Sequence, residues 1–243
     1  MKIVVLAMNN VLLQVILFKK ITVEQILQKI RTDLRLSMNG VIASSMRSKG
    51  IDFRMIFGVE IPKLKQIAAS YKSDKILAEA LWEEDVREMK ILATMLFPPD
   101  KLTKEAADRW VTGIVNQEIR EQICKNLFQE VDFSDDLVRE WARSDDESVR
   151  TTGYWLFARL CIIRSESVHG IDMDELLEDV ITDLRGASLF LRQSALNALK
   201  FYGRISHGNA EKILSSVVSF KNSDIIPERE MFDQLRFEFG YYS

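Results

Sequence analysis

The sequence predicts an all-α protein in which short helices pair and stack into an α–α superhelix. Apolar residues recur at spacings of three, four and seven along most of the chain, as in helices with one buried face. The 243 residues include only ten glycines and four prolines, and the alternating pattern of β-strands is nearly absent. The helical pairs recur roughly every 35–40 residues, close to the spacing of HEAT and armadillo repeats. We therefore expect one HEAT-like helical-repeat solenoid domain spanning residues 1–243.

Capping residues and breaks divide the chain into its predicted helices. Thr22 and Gln25 have the spacing of a capping box and open a long entry helix, which Gly40 interrupts and Gly50 ends. Pro62 lies in the first turn of the next helix, where its missing N–H costs little. The later helices are expected to begin near residues that cap a helix or suit its first turn: Ser73, Thr103, Ser134, Asp145 or Asp146, Asp172 or Asp174, Ser188, Gly208–Asn209 and Pro227.

Residues 1–20 are strongly apolar but are interrupted by Asn9, Asn10 and Gln14. They are either an apolar N-terminal helix that docks on the repeats or an extension upstream of a natural start at Met8. A membrane anchor is disfavoured because the apolar runs are too short to span a bilayer. We therefore expect no membrane partner.

Composition narrows the classes of function. The 33 Lys and Arg residues against 36 Asp and Glu give a net charge of −3, so a basic surface for nucleic acid would have to be local. Cys124 and Cys161 lie in apolar helical patterns and are expected to be reduced core residues, which favours a cytoplasmic protein. Since His169 and His207 lack partners at ligand spacing, we expect no metal site. The sequence also contains no glycine-rich phosphate loop, and no cofactor is expected.

Several basic residues lie on the predicted second helices of successive pairs. If those helices line a concave face, their side chains would form a basic track for nucleic-acid phosphates. The alternative is that they are ordinary solvated charges. The candidate contacts are Arg120, Lys125, Arg150, Arg192 and Lys200.

Three segments resemble the AlkD-like HEAT-repeat DNA glycosylase family of DNA alkylation repair proteins. Phe57–Ile67 is similar to its apolar-Gly-Val/Ile turn, which leads into a basic helix. Leu81–Trp82 followed by Arg87–Glu88 resembles its Leu-Trp…Arg-Glu feature. Trp141–Asp145 followed by Arg150 is similar to its Trp-x-x-Ser-Asp segment and the arginine after it. The order and spacing of these motifs carry the resemblance over most of the chain.

The resemblance implies a family that removes positively charged alkylated bases from duplex DNA. That chemistry uses an aspartate, which stabilises the developing positive charge on the sugar, and cleft tryptophans around the lesion. Here Cys124 falls at the aspartate, Arg120 at one cleft tryptophan and Ala198 near a later one. A neutral thiol cannot replace a carboxylate as an anion unless its pKa is strongly lowered. Glu121 is the weak candidate for a substitute acid, so enzymatic activity is left open.

The leading interpretation is a protein of this family that binds duplex or structured DNA and has lost the usual glycosylase residues. The alternative is a HEAT-repeat scaffold that binds a protein partner along the same face without nucleic acid, because fold alone does not select the ligand. A third is an active glycosylase that uses Glu121. The sequence does not determine the oligomeric state.

Overall fold

A computed structural model describes residues 22–240, and the predicted all-α class is confirmed in this part of the chain. Its regular structure is helical apart from one isolated parallel bridge between Met55 and Val86. The predictions for residues 1–20 lie outside the described residues. The helices are α1 (22–36), α2 (Gly40–Ser48), α3 (Ile61–Ala68), α4 (Lys75–Trp82), α5 (Arg87–Leu96), α6 (Lys104–Thr112), α7 (Gln117–Asn126), α8 (Ser134–Trp141), α9 (Glu147–Ile162), α10 (Met173–Leu184), α11 (Leu189–Gly203), α12 (His207–Ser216) and α13 (Ile226–Gly240).

Several predicted helix starts are confirmed by side-chain caps. The Thr103 hydroxyl accepts a hydrogen bond from the Ala106 N–H at 3.2 Å, and the Ser188 hydroxyl accepts one from the Leu191 N–H at 3.2 Å. The carboxylates of Asp146 and Asp172 cap α9 and α10 in the same way. Each cap satisfies an N–H group that the first helical turn leaves without a partner.

Three predicted starts were wrong in detail. Asp74, not Ser73, caps α4, and Ser206 caps α12 ahead of Gly208–Asn209. Ser134 is the first residue of α8 rather than its cap, and its buried hydroxyl donates to the Ser167 hydroxyl at 3.0 Å. Each boundary lies within two residues of the predicted one, and for Ser134 a tertiary hydrogen bond accompanies the shift.

The helices form two compact units that divide after Lys101, and each is described by itself. The described part of the first unit contains α1–α5, with α3 and α4 both packed on α5. The second unit contains α6–α13. There α9 packs against α7, α8 and α11, and α11 packs in turn against α10 and α12.

A buried ion pair at the start of α5 holds the connection between α2 and α3. The Glu88 carboxylate accepts hydrogen bonds from the N–H groups of Phe57, Gly58 and Val59 at 2.9–3.2 Å. Arg87 donates to the Glu88 carboxylate at 2.9 Å and to the Val59 carbonyl at 3.0 Å. Both charged side chains are almost fully buried, so each neutralises the other while the loop supplies the remaining partners.

Gly58 makes this connection possible. Its φ of +74° lies in the left-handed region, and a Cβ there would come within 2.2 Å of the Asn39 carbonyl oxygen. Only glycine permits both the backbone conformation and the close approach of α2. The glycine of the segment Phe57–Ile67 is therefore explained by local structure.

In the second unit, Gly153 lets α9 approach the C-terminal end of α8. A Cβ at this position would lie 2.6 Å from the Ala142 nitrogen. Trp110, Trp141 and Trp82 are all buried in the core. No helix between residues 22 and 240 is long and apolar enough to cross a membrane.

Candidate functional site

Arg120 is a buried cation whose hydrogen-bond acceptors in the described part of the chain are neutral groups. Its side chain projects from α7 and is 8% exposed. In the described part of the chain, no carboxylate oxygen lies within 4.0 Å of its guanidinium. Burial lowers the pKa of Arg120, yet an arginine remains charged at neutral pH. Its hydrogen-bond acceptors are the Thr152 hydroxyl (3.0 Å), the Gln117 side-chain carbonyl (2.7 Å) and the Ser148 hydroxyl (2.9 Å).

A second arginine with a neutral partner lies further along α9. Arg159 is half-buried and donates from Nε and Nη2 to the side-chain carbonyl of Gln129, at 3.0 and 2.9 Å. Since both of its short contacts are to an amide oxygen, they leave its charge uncompensated. The sequence reasoning missed Arg159. The signal available was its position on the same helical face as Ser148 and Thr152.

The thiol of Cys124 lies within the field of both arginines. It is fully buried on α7, and burial raises its pKa to about 12 although Arg120 and Arg159 act to lower it. The thiol is therefore neutral near pH 7. At this position the side chain is therefore not an anion; Arg120 and Arg159 act on it as cations, and the Glu121 carboxylate acts in the opposite direction.

Glu121 is separated from the charge of Arg120 by an amide. The side chain of Gln117 accepts from Arg120 through its carbonyl and donates to the Glu121 carboxylate at 3.1 Å through its NH₂ group. This ordered chain fixes the orientation of the Gln117 amide. Glu121 is half-buried, and its predicted role as an acid stays a prediction.

Arg150 lies in a network between helices. Its Nε donates to the Ala142 carbonyl at 3.0 Å and lies 2.9 Å from a carboxylate oxygen of Asp183. The same carboxylate accepts from the Tyr154 hydroxyl at 2.5 Å. Burial raises the pKa of Asp183, which Arg150 opposes. These contacts join α8, α9 and α10. The Asp183 carboxylate compensates the positive charge of Arg150, which would otherwise be available to a phosphate.

The remaining predicted contacts lie on α7 and α11. Lys125 is exposed near the C-terminal end of α7. Arg192 donates to the Gly186 carbonyl at 2.8 Å. Lys200 is half-buried, and burial lowers its pKa while Glu238 acts in the opposite direction. Because α9 packs against both α7 and α11, the five predicted residues lie on three helices that are neighbours through α9.

The described residues contain no cluster of His, Cys, Asp and Glu side chains that could hold a metal ion. A pocket of about 400 Å³ lies elsewhere in the second unit, between the end of α9 and the start of α12. It is lined by residues that include Arg164, His169, Tyr202 and Asn209. None of the predicted nucleic-acid contacts lines it.

Comparison with known families identifies the chain. A family model described as DNA alkylation repair enzyme matches residues 30–217, which is most of the sequence. The chain belongs to this family. The resemblance carried by Phe57–Ile67, Leu81–Glu88 and Trp141–Arg150 is thereby confirmed. No curated protein matches the chain significantly.

One solved structure has a similar fold. It is described as a new family of proteins related to the HEAT-like repeat DNA glycosylases with affinity for branched DNA structures. Its TM-score is 0.71 and its identity 16%, over 88% of this chain and 95% of that one. This likeness shows the HEAT-like repeat fold that the sequence predicted.

Two designed armadillo repeat proteins match less well. One has a TM-score of 0.38 and 10% identity over 73% of this chain and 92% of that one. The other, designed for modular peptide recognition, has a TM-score of 0.42 and 12% identity over 87% and 98%.

Proposed function

We propose that this member of the DNA alkylation repair enzyme family binds duplex or structured DNA through its phosphates and does not excise alkylated bases by the carboxylate mechanism. The observation that carries the proposal is the charge at the α7–α9 contact. A neutral, fully buried Cys124 lies in the field of Arg120 and Arg159, whose hydrogen-bond partners are neutral oxygens. The family and the affinity for branched DNA of the structurally similar protein support the same ligand class.

The sign of this charge suits a phosphate and opposes a cationic base. Two unit charges 4 Å apart interact by about 4 kcal/mol at the effective dielectric of a protein surface. Near Arg120 that interaction would disfavour a positively charged base or an oxocarbenium ion, which excision requires the site to stabilise. It would favour a phosphate oxygen. The same side chain thus supports binding and opposes excision.

Binding is tested with labelled DNA by fluorescence anisotropy. We expect a 20-base-pair duplex and a four-way junction to bind at 50 mM salt. The logarithm of the binding constant should fall linearly with the logarithm of the salt concentration, because phosphate contacts release counterions. Negligible binding of both at low salt would refute the proposal. A defined protein partner that co-purifies with a chain unable to bind DNA would support the scaffold alternative.

Excision is tested separately by release of 7-methylguanine and 3-methyladenine from alkylated duplex. We expect no release above the uncatalysed rate. Release that is abolished by Glu121→Gln would identify Glu121 as the acid and refute the second half of the proposal. Release that survives this change would require a different carboxylate.

We also propose a cytoplasmic location. Cys124 and Cys161 are both buried free thiols, which suits a reducing compartment. Cell fractionation with compartment markers tests this proposal, and recovery in an oxidising compartment would refute it.

A further inference from the structure

Charge is divided unequally between the two units. Residues 1–101 carry 16 Lys and Arg against 11 Asp and Glu, a net charge of +5. Residues 102–243 carry 17 against 25, a net charge of −8, and the two sum to the −3 of the whole chain. All five contacts predicted from the sequence lie in the acidic second unit. The excess of cations lies in the first.

The excess is concentrated on α2, α3 and the segments that follow them. Neither α2 nor α3 contains an Asp or Glu residue. Between residues 40 and 72 the acidic residues are Asp52 and Glu60. The basic residues of the same range are all exposed, and we call them the α2–α3 basic surface: Arg47, Lys49, Arg54, Lys63, Lys65 and Lys72.

Within the described residues these six cations are not neutralised by a carboxylate. Across residues 22–240, no carboxylate oxygen lies within 4.0 Å of any of their side-chain nitrogens. Several cations of the second unit are instead paired with carboxylates. There Lys104 pairs with Asp136 at 2.5 Å, and Arg143 pairs with Glu175 at 2.5 Å. Further pairs in that unit are Arg139 with Asp136 and Lys212 with Asp174.

Hydrogen bonds hold the backbone that carries the α2–α3 basic surface. The loop between α2 and α3 donates three backbone N–H groups to the buried Glu88 carboxylate. Asn39, the cap of α2, donates its N–H to the Phe57 carbonyl at 2.9 Å. On α3, Lys63, Lys65 and Gln66 are all exposed. The side-chain carbonyl of Gln66 accepts a hydrogen bond from the Lys63 ammonium at 3.4 Å. The cationic side chains are therefore exposed groups on a hydrogen-bonded backbone, and phosphate contacts of this kind position a protein on DNA.

We propose that the α2–α3 basic surface binds the phosphate backbone of DNA and supplies most of the salt-dependent part of the affinity. This inference rests on the proposed function, since it assigns the main phosphate contacts of the same ligand. Exposed, unpaired lysines and arginines release counterions from DNA when they bind phosphates. Cations that already pair with carboxylates contribute little to this salt-dependent affinity. The unpaired set in the first unit is therefore better suited than the paired set in the second.

The test compares two double variants in the first unit. Lys63→Gln/Lys65→Gln removes two unpaired cations, whereas Lys75→Gln/Lys101→Gln removes two that lie near Glu79 (3.9 Å) and Asp100 (3.0 Å). Each phosphate contact contributes about 0.9 to the slope of log affinity against log salt. We expect the first variant to lower the slope by about 1.8 and the duplex affinity at 0.1 M salt by up to about 60-fold. The control should change the slope by less than about 0.5.

The outcomes separate this inference from the proposed function. If the wild-type protein binds no DNA at low salt, the proposed function itself fails. If the wild-type protein binds and Lys63→Gln/Lys65→Gln leaves the slope unchanged, or if both double variants lose the same amount, only the α2–α3 assignment is overturned. Vesicles with 30% phosphatidylserine are the competing probe. Loss of vesicle binding with DNA binding intact would assign the surface to a membrane and would also overturn the inference.

Discussion

Replacing Arg120 with methionine tests whether the buried charge serves binding or stability. Methionine keeps much of the length and volume of the side chain but removes the charge and the three hydrogen bonds to Thr152, Gln117 and Ser148. Three hydrogen bonds from a charged donor contribute roughly 5 kcal/mol together. Taking a guanidinium out of water costs several kcal/mol. Since the two contributions nearly cancel, the free energy of unfolding should change by no more than about 1 kcal/mol.

The hydrogen-bond acceptors that lose Arg120 can find other partners, which supports this small change in the free energy of unfolding. Ser148 and Gln117 are half-buried and can bind water in place of the guanidinium. The Thr152 hydroxyl still donates to the Ser148 carbonyl at 2.7 Å. Urea unfolding followed by circular dichroism at 222 nm measures the stability.

The DNA affinity, unlike the free energy of unfolding, should change clearly. One phosphate contact corresponds to about an eightfold change in affinity at 0.1 M salt and to a slope change of about 0.9. We therefore expect Arg120→Met to bind duplex about eightfold more weakly, while Arg120→Lys, which keeps the charge, stays within threefold of wild type. A matched control is Arg139→Met on α8, whose guanidinium pairs with Asp136. A loss of more than about 3 kcal/mol in stability with an unchanged salt slope would show that Arg120 is structural.

Three further predictions concern the described core. Gly153→Ala should lower the free energy of unfolding by about 2 kcal/mol or more in urea titrations, because the new Cβ meets the Ala142 nitrogen at 2.6 Å; a neutral effect would contradict the close approach of α8 and α9. Burial raises the pKa of Cys124 and Cys161 to about 12, so iodoacetamide at pH 8.5 should modify both thiols in urea and neither in the folded protein. The unfolded chain releases these protons first, so stability should also fall above about pH 9, by up to about 1.4 kcal/mol per pH unit for each thiol. If residues 1–243 form the single domain we propose, calorimetry should show one unfolding transition whose calorimetric and van't Hoff enthalpies agree, whereas two resolved transitions would contradict it.

The fold was largely predictable because it depends on local patterns. Helical periodicity and caps such as Thr103 and Ser188 act within a few residues, and both caps are confirmed. One error arose at a residue that makes a tertiary contact. Ser134 is placed inside α8 with its hydroxyl on Ser167, a partner 33 residues away. Periodicity contains no information on such a contact.

The candidate site was less predictable because its charges depend on distant partners. The sequence shows Arg120 and Arg150 as equivalent basic residues on neighbouring helices. In the structure Arg150 is paired with Asp183, 33 residues further along the chain, and Arg120 has neutral partners on α9. The net charge of the whole chain also concealed the basic first unit, because an acidic second unit outweighs it.

The family motifs also separate structural from chemical roles. Gly58 and Glu88 support the α2–α3 connection through a left-handed turn and a buried carboxylate. Residues of this kind are required by the scaffold whether or not excision occurs.

Binding and excision place opposite electrostatic demands on the DNA-alkylation-repair scaffold. Phosphate binding needs unpaired cations, whereas excision of a cationic base needs a local anion that outweighs them. Under our proposal the position of the acid is occupied by Cys124, a neutral thiol on which Arg120 and Arg159 act as cations. Restoring the acid alone, as Cys124→Asp, would place the new carboxylate within the field of those same arginines and would compensate their charge. We therefore infer that recovery of excision requires removal of Arg120 as well as gain of the carboxylate, and that the same double change would weaken binding.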